Sequence, residues 1–337
     1  MRDNPYPKMS SSSRTGFEQT SIHRIEDLRE PVRGSCLDVV QMGKAPVTGT
    51  LFYGQSDGVS ITSGSFIGKV WLRGPITSEG VTVSVGLQRG PGSRQLYQEV
   101  QTGVVGLFDA GTDQEGMYNG HSVYLAASLT EDRLHREARL SGVIVDDAAF
   151  QNPGLYPQLL DASLTSRLRK AVLAIHQGSD WHPESIDAIA TDLLHAFLLH
   201  AGREPRNAAG ATFTGNYARI VKRAQSWIED NLEESISLNA LADEACTSRR
   251  TLHRAFLEVM DESPTAYIRR LRLHRIRHDL LAEEAGAYSI AAIANRWGVG
   301  ELGRFSGRYR SLFGELPSET VGTFRKAQPN HKLAESA

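Results

Sequence analysis

This chain of 337 residues has little cysteine: only Cys36 and Cys246, far apart in the sequence. Two distant cysteines cannot build a disulfide framework, which argues against a small secreted protein and favours a reduced one. No apolar run approaches the length of a membrane span. The first residues are polar and lack the apolar centre of a signal peptide. We therefore expect a cytoplasmic protein without a membrane segment.

An excess of positive charge is also missing. The 37 Lys and Arg residues are balanced by 39 Asp and Glu residues, which gives a formal net charge of −2. A whole-chain sum can hide segregated charge, however, and a nucleic acid responds to the local field. With 40% hydrophobic and 23% charged residues, the composition is that of a soluble globular protein with room for two domains.

Residue clusters typical of catalytic or metal sites are missing as well. A β-barrel that binds iron or manganese needs clustered histidines and a carboxylate, whereas His121 and His135 stand alone. No Ser/His/Asp or Cys/His arrangement stands out, and the glycines from Gly86 to Gly92 do not form a phosphate loop. The sequence therefore predicts no catalytic residue, no metal and no cofactor, and a protein that is not an enzyme.

Residues 21–150 contain many glycines and short alternating runs such as Val59 to Thr62 and Ser122 to Leu125. Such runs, broken by turns like Arg89 to Gly92, are typical of antiparallel strands in a barrel or sandwich. Residues 1–20 are rich in Ser, Arg, Pro and Asn, so we expect a disordered tail there.

Residues 155–201 predict two amphipathic helices, because Leu and Ile recur at helical spacing from Leu159 to Gln177 and from Glu184 to Ala201. The pair either joins two subunits, which we favour, or only covers the barrel. Residues 202–215 are small and polar, as expected for a flexible linker. Residues 327–337 are a polar tail.

An internal repeat lies near the C-terminus. The segments Ser237 to Met260 and Ser289 to Phe313 each predict a short helix, a tight turn and a second helix. Leu241-Ala242 corresponds to Ile293-Ala294 on the buried face of each first helix. The apolar anchors of the first unit and their counterparts in the second are Leu252, Phe256, Met260 and Pro264, then Phe305, Tyr309, Phe313 and Pro317.

The free face of each second helix is basic. The cationic residues are Arg249, Arg250, His253 and Arg254 in the first unit, and Arg304, Arg308 and Arg310 in the second. A helix with one apolar and one cationic side, supported by a short preceding helix, suits the major groove of DNA. A single such helix could be the solvated face of a bundle, but two units with matched anchors favour DNA.

A helix predicted from Pro264 to Glu283, capped by Ser263, separates the two units. About twenty residues make a rod of roughly 30 Å, which is close to the roughly 34 Å of one turn of DNA. Five arginines lie between Arg269 and Arg277. They cannot all face DNA, so we expect some to pair with acids such as Asp279 or Glu283.

Residues 216–326 resemble the DNA-binding domain of the AraC/XylS family of bacterial transcription regulators. The residues that carry the resemblance are Leu241-Ala242, Ser248, Leu252, Arg254, Phe256, Ser263-Pro264, Tyr267, Arg272 to Arg277, Ile293-Ala294, Trp297-Gly298, Phe305, Tyr309, Phe313-Gly314 and Pro317-Ser318. The resemblance implies a cupin-like effector and dimerisation domain over residues 21–150. The predicted fold class is α+β: an N-terminal cupin-like β-barrel or sandwich with two helices, then an all-α double helix-turn-helix domain.

The resemblance also implies roles for single residues. Arg250, His253 and Arg254 match base-contacting positions, and arginine can donate two hydrogen bonds to guanine. Arg249 is expected to contact phosphate, and Ser248 is expected to cap its helix so that the helix N-terminus faces the DNA backbone. In the second unit the expected DNA contacts are Arg304, Ser306, Arg308 and Arg310.

The chain departs from the family pattern in both units. Cys246 stands where the family usually has glycine, and a left-handed backbone there would cost roughly 1 kcal/mol. Gly303 and Gly307 stand where other members often carry base-reading side chains, and each costs its helix up to about 1 kcal/mol against alanine. We infer that the second unit reads few bases and mainly grips phosphates.

The sequence thus favours an effector-responsive transcription activator that is cytoplasmic and nucleoid-associated. It would bind double-stranded DNA as a homodimer and recruit RNA polymerase, and we expect residues from about 210 onward to bind DNA alone. The alternatives are a ligand-independent regulator whose barrel only dimerises, and a barrel enzyme with a DNA-binding appendage. A polar-lined cavity in the barrel would favour sensing, and a filled core would favour the ligand-independent regulator.

Overall fold

The computed structural model describes residues 17–56, 58–77, 79–110, 113–143, 154–156, 158–178, 183–203, 215–282 and 288–327. Within these residues, a region of β-sheet with three α-helices is followed by a region in which every element is a helix. The predicted α+β fold class is therefore confirmed. None of the described helices combines the length and the apolar character that crossing a membrane requires.

The strands form two antiparallel sheets. Their bounds are β1 (Phe17–Ile22), β2 (Asp38–Gln41), β3 (Thr48–Ser56), β4 (Val59–Ile67), β5 (Val70–Pro75), β6 (Val81–Gln88), β7 (Arg94–Gln95), β8 (Gln98–Glu99), β9 (Val105–Asp109), β10 (Asp113–Tyr118), β11 (His121–Leu129) and β12 (Gly154–Leu155). The first sheet has the order β1-β3-β4-β11-β6-β9-β12, and the second has the order β2-β5-β10-β7-β8. The two runs given above as predicted strands, Val59 to Thr62 and Ser122 to Leu125, fall within β4 and β11.

The two sheets pack face to face. Alternate side chains of each strand point to opposite faces of its sheet, so one set of apolar side chains from each sheet lies between the two sheets. Leu51 and Phe66 of the first sheet share a core with Val70 and Leu72 of the second. The other face of the first sheet is covered by helices α2 (Ala162–His176) and α3 (Pro183–Arg203). The apolar stripes of these helices are buried there, which confirms the predicted helical pair.

In the described residues from 215 onward, the C-terminal region contains seven helices. They are α4 (Asn216–Asp230), α5 (Leu238–Glu244), α6 (Arg249–Met260), α7 (Pro264–Leu280), α8 (Ile290–Arg296), α9 (Leu302–Phe313) and α10 (Pro317–Ala327). The N-terminal half of α7 joins the core of the first repeat unit through Tyr267, Ile268 and Leu271. Its C-terminal half joins the core of the second unit through Leu273, Ile276 and Leu280. Helix α7 is thus the spacer between the two units.

Three sequence predictions need correction. Strand β1 begins at Phe17 and pairs with β3, so the expected disordered tail of residues 1–20 is wrong for its last four residues. Helix α1 (Glu131–Leu140) was not predicted, although Thr130 caps it by accepting a bond from the Arg133 amide. The spacer helix ends at Leu280, and Glu283, its predicted end, lies outside the described residues.

The second sheet packs directly against the helical region, which the sequence analysis did not anticipate. Val40, Trp71 and Met117 on its outer face belong to the same buried cluster as the core of the first repeat unit. The Trp71 ring meets the Tyr267 ring edge to face, with centroids 6.2 Å apart. The molecule is therefore layered as helices, sheet, sheet, helices.

Polar contacts cross the same interface. The Arg73 guanidinium lies 2.5 Å from the Glu229 carboxylate. Glu115 accepts hydrogen bonds from the Trp71 indole at 2.8 Å and from the Gln225 amide at 3.1 Å. Burial raises the pKa of Glu115, although these hydrogen bonds oppose the rise. Because the buried polar groups are paired, the two regions are held in one defined orientation.

Candidate nucleic-acid interface

The first repeat unit consists of α5 and α6. The Ser248 hydroxyl accepts a hydrogen bond from the Thr251 amide at 3.1 Å, so its predicted capping role is confirmed. Leu241 and Ala242 of α5 are buried, as are Leu252 and Phe256 of α6. The predicted anchors therefore fix one face of α6 inside the protein and leave the opposite face at the surface.

The turn between α5 and α6 contains the predicted left-handed residue. Cys246 has φ of 51°, and its equivalent in the second unit, Gly298, has φ of 67°. Glycine adopts this backbone without steric cost, whereas cysteine does not. The first turn is therefore strained where the second is not. Cys246 and Cys36 are both free and exposed.

The exposed face of α6 is a continuous basic surface, which we call the first reading face. It is formed by Arg249, Arg250, His253 and Arg254, all of them exposed. Within the described part of the chain, none of these four side chains makes a hydrogen bond or an ion pair. Their donors are therefore available to phosphates and base edges.

The second repeat unit consists of α8 and α9. We call the polar residues at the surface of α9 the second reading face; they are Arg304, Ser306, Arg308 and Arg310. Arg308 is half-buried and the other three are exposed. Phe305 and Tyr309 are buried, as the match with Leu252 and Phe256 predicted. A Cβ atom at Gly303 or Gly307 would meet nothing within 4 Å. Packing therefore does not require either glycine, and both leave the exposed side of α9 smooth.

Glu301 is a feature of this face that the sequence analysis missed. It is the N-cap residue of α9, and its side chain makes no capping hydrogen bond. Its carboxylate instead lies 3.7 Å from Arg304 and 3.5 Å from Arg308. The spacing of three and seven residues from Glu301 to these arginines on one helix face could have revealed it. The second reading face thus carries less net positive charge than the first.

The arginines of the spacer helix mostly bind within the protein, but not to the acids we expected. Arg270 pairs with Glu262 at 3.0 Å, and Arg275 lies 3.8 Å from Asp38. Arg272 donates to the backbone carbonyls of Leu232, Glu234 and Gly298.

The two acids named in that prediction behave differently. Asp279 pairs with Arg296 at 3.6 Å and accepts a bond from the Trp297 indole, so the prediction for Asp279 is wrong. Glu283 lies outside the described residues. Arg269 alone of the five is exposed without a partner among the described residues.

Arg277 links three parts of the molecule. It is 4% exposed, and its guanidinium lies 2.7 Å from Glu26 of the β region and 2.6 Å from Glu315, just beyond α9. Burial alone would lower the pKa of Arg277, but Glu26 raises it above its ordinary value. A buried charge satisfied on two sides costs several kcal/mol to disturb.

His274 and Gln41 form a second link. The Gln41 amide N–H donates to His274 Nε2 at 3.0 Å, and the Gln41 side chain donates to the Leu312 carbonyl in α9 at 2.5 Å. Burial lowers the pKa of His274 to about 3, so the ring is neutral and accepts this bond at neutral pH. One residue of strand β2 therefore contacts both the spacer helix and the second unit.

The two histidines considered as metal ligands are not part of a metal site in the described residues. Nowhere in that part of the chain do three or more His, Cys, Asp or Glu side chains come together as a metal site would need. His121 shares hydrogen bonds with Ser65 at 3.1 Å and Gln88 at 3.0 Å. It is locally bonded, as expected for a histidine on a sheet.

Comparison with known proteins places the C-terminal region among helix-turn-helix proteins. A family model described as "Helix-turn-helix domain" matches residues 241–322. The "XylDLEGF operon transcriptional activator 2" of Pseudomonas putida is 40% identical over 133 residues, which are 40% of this chain and 80% of that protein. The "XylDLEGF operon transcriptional activator 3" of the same organism is 38% identical over 133 residues.

The similarity to the longer relatives is partial. The matched segment spans 38–40% of the length of four Pseudomonas putida activators and 40–41% of this chain. Among solved structures, a "transcriptional regulator (AraC-type DNA-binding domain-containing proteins)" from Chromobacterium violaceum is 31% identical. That match covers 36% of this chain and 99% of the other, with a TM-score of 0.30.

Proposed function

Because the chain belongs to the AraC/XylS family of bacterial transcription regulators, we propose that it is a sequence-specific, effector-responsive activator of transcription. Its two helix-turn-helix units would read two successive segments of the major groove of double-stranded DNA. The observation that carries this proposal is the pair of matched units, each with a buried anchor face and an exposed basic face, at the two ends of α7.

The length of the spacer supports simultaneous binding by both units. The 17 residues of α7 span about 25 Å at 1.5 Å per residue. The reading helices pack beside the two halves of α7. Their separation is therefore of the order of one DNA turn, roughly 34 Å, so both could reach one side of a duplex.

We propose different tasks for the two units. Arg250, His253 and Arg254 would contact bases, and Arg249 would contact phosphate together with the N-terminus of α6 capped by Ser248. On α9, Arg304, Ser306, Arg308 and Arg310 would mainly bind phosphates. The smooth surface at Gly303 and Gly307 lets a backbone approach closely but offers no base-reading side chain.

The remaining partners belong to the same proposal. Activation would require recruitment of RNA polymerase, which fits the similarity of this chain to operon transcriptional activators. The protein would act in the cytoplasm, at the nucleoid. We also propose a homodimer. Since the apolar stripes of α2 and α3 are already buried on the first sheet, a second copy would use their outer faces.

The decisive experiment is genome-wide mapping of the sites bound by the tagged full-length chain in its native host. We expect discrete sites that share a motif with two half-sites about one DNA turn apart. The matched control is the double variant Arg250→Ala/Arg254→Ala, which should lose the shared motif. Diffuse binding without a motif, or a motif that survives in the double variant, would refute sequence reading by α6.

A further inference from the structure

One end of the β-sandwich holds a cluster of three polar residues, of which Arg89 and Ser122 each have a buried polar atom without a hydrogen-bond partner among the described residues. The cluster lies between the two sheets and consists of Arg89, which follows β6, Tyr118 at the end of β10, and Ser122 at the start of β11. Buried polar groups in folded proteins are normally hydrogen-bonded, so each exception calls for a partner.

Arg89 is the most unusual member of this cluster. Its guanidinium lies 4.7 Å from the centre of the Tyr118 ring, and its Nε atom is buried without a hydrogen-bond partner. No acidic side chain pairs with it among the described residues. Arg33 offers a direct contrast, because it stacks on Tyr53 at 4.2 Å but also pairs with Glu18 at 2.5 Å.

Ser122 supplies a second unsatisfied group beside the first. Its hydroxyl oxygen is buried and has no hydrogen-bond partner. Strand pairing sets Val123 opposite Gln88, so Ser122 and Arg89 each lie one residue from a directly paired position. Ser122 pairs with Phe66, whose ring meets Tyr118 edge to face at 6.3 Å. Phe66 therefore links Ser122 to Tyr118, and Arg89 stacks on the Tyr118 ring.

Glycines make room for this cluster on the inner walls of the sandwich. A Cβ atom at Gly86 would come within 2.8 Å of Arg89 Nε, and one at Gly116 within 2.7 Å of the Tyr118 hydroxyl. Glycine weakens a strand interior and often marks a place where a ligand approaches closely. Arg89 is only half-buried as a whole, so part of its side chain reaches the surface at this end of the sandwich.

We propose that this end of the sandwich binds a small carboxylate, with Arg89 pairing to the carboxylate oxygens and Ser122 donating a further hydrogen bond. A guanidinium and a carboxylate form two parallel bonds, which would satisfy Arg89 Nε. We expect the ligand to carry a single negative charge, because Arg89 is the one cation in the cluster and aromatic and aliphatic groups surround it. The body of the ligand would lie against Tyr118.

Binding of a carboxylate does not depend on DNA binding. The role of that carboxylate as the effector rests on the proposed function. Tyr118 belongs to the core between the sheets, and Met117 beside it packs into the interface with the first repeat unit. A ligand that orders Tyr118 would therefore act one residue away from the contact between the two regions.

The test is thermal unfolding of the purified full-length protein without DNA. About 100 mM sodium acetate, the minimal carboxylate probe, is compared with sodium chloride at equal ionic strength, and inorganic phosphate serves as a dianionic probe. We expect acetate to raise the Tm of the wild type by about 2–4 °C, as mass action predicts for a weakly bound ligand. Arg89→Met should lose this shift, while the control Arg33→Met should keep it.

The variants also separate binding from a purely structural role. In chloride, Arg89→Met should unfold no lower than the wild type, because the Arg89 side chain has no hydrogen bond or ion pair to lose among the described residues and methionine can keep an apolar contact with the Tyr118 ring. Ser122→Ala, which barely changes the volume, should reduce the acetate shift and keeps the test valid if Arg89→Met does not fold. An equal acetate shift in all variants, a shift with phosphate alone, or no shift with either anion would overturn the proposal. DNA binding measured without acetate would be unaffected by that failure.

Discussion

The two helix-turn-helix units share their anchors but differ in the surface that they offer to DNA. On α6, three exposed arginines and the exposed His253 are unpaired within the described part of the chain. On α9, Glu301 lies close to two of the cationic residues, and two glycines interrupt the face. The buried positions match closely, with Phe256 and Tyr309 both fully buried.

This contrast shows which parts of a repeated unit are constrained by folding and which are free to differ. The anchor residues must fill a core of fixed shape, so changes there are costly. The exposed side of each second helix carries no such constraint. One copy can therefore specialise in base recognition while the other grips the DNA backbone.

The largest effect should come from removing an anchor. Phe256→Ala should lower the free energy of unfolding by about 3–5 kcal/mol, and Phe305→Ala by a similar amount. The effect of Phe256→Ala should extend into the β region, unlike that of Phe305→Ala, because Phe256 shares its buried cluster with Trp71. Hydrogen exchange should therefore speed up in the amides of β5 for Phe256→Ala only. Equal exchange in both variants would mean that the interface does not depend on the first unit.

A smaller effect should follow from removing a base-reading arginine. Arg250→Ala should weaken binding to the selected site by about 1–3 kcal/mol and relax the preference at one base position. Selection from random DNA by the purified protein measures both quantities. Arg136→Ala, an exposed arginine on α1, is the control and should leave the selected motif unchanged. An unaltered motif for Arg250→Ala would show that α6 does not read that base.

The second unit should respond differently to the same kind of change. Arg308→Ala should weaken binding to all sequences alike and reduce the slope of log affinity against log salt by about 1. The loss should be smaller than for Arg250, because Glu301 already offsets part of the Arg308 charge. Titrations at several salt concentrations measure the slope. A changed base preference would contradict the assignment of Arg308 to phosphate.

The smallest effect should come from Glu301→Gln. Removing this exposed carboxylate frees Arg304 and Arg308 for phosphates, so affinity should rise modestly on every sequence and the salt dependence should become steeper. Glu131→Gln on α1 provides an exposed acid remote from both reading faces. If Glu301→Gln instead weakens binding to one sequence only, Glu301 contacts a base, and the proposed difference between the two units is wrong.

Much of the helical region could be predicted because its signals are local. Ser248 caps α6 and Cys246 is left-handed, as the resemblance to the AraC/XylS family implied. Of the two acids expected to pair with the spacer arginines, Asp279 was wrong for a different reason. Their acids, such as Glu26 and Asp38, come from distant parts of the chain that no local pattern connects.

The interface between the two regions shows the same limit, although a signal was present. Val70, Trp71 and Leu72 form a continuous apolar run rather than an alternating one, which is typical of a strand buried on both faces. That run indicates that the outer face of β5 is covered. It does not indicate by what, because the covering residues lie about two hundred positions further along the chain.

The covered face of the second sheet has a practical consequence for cutting the protein in two. A fragment starting near residue 215 would turn the sides of Tyr267 and Leu271 that now meet the sheet toward water. Exposed apolar surface of this kind promotes self-association. Such a fragment would still hold both reading helices, but it should precipitate more readily than the whole chain unless polar side chains replace the bared ones.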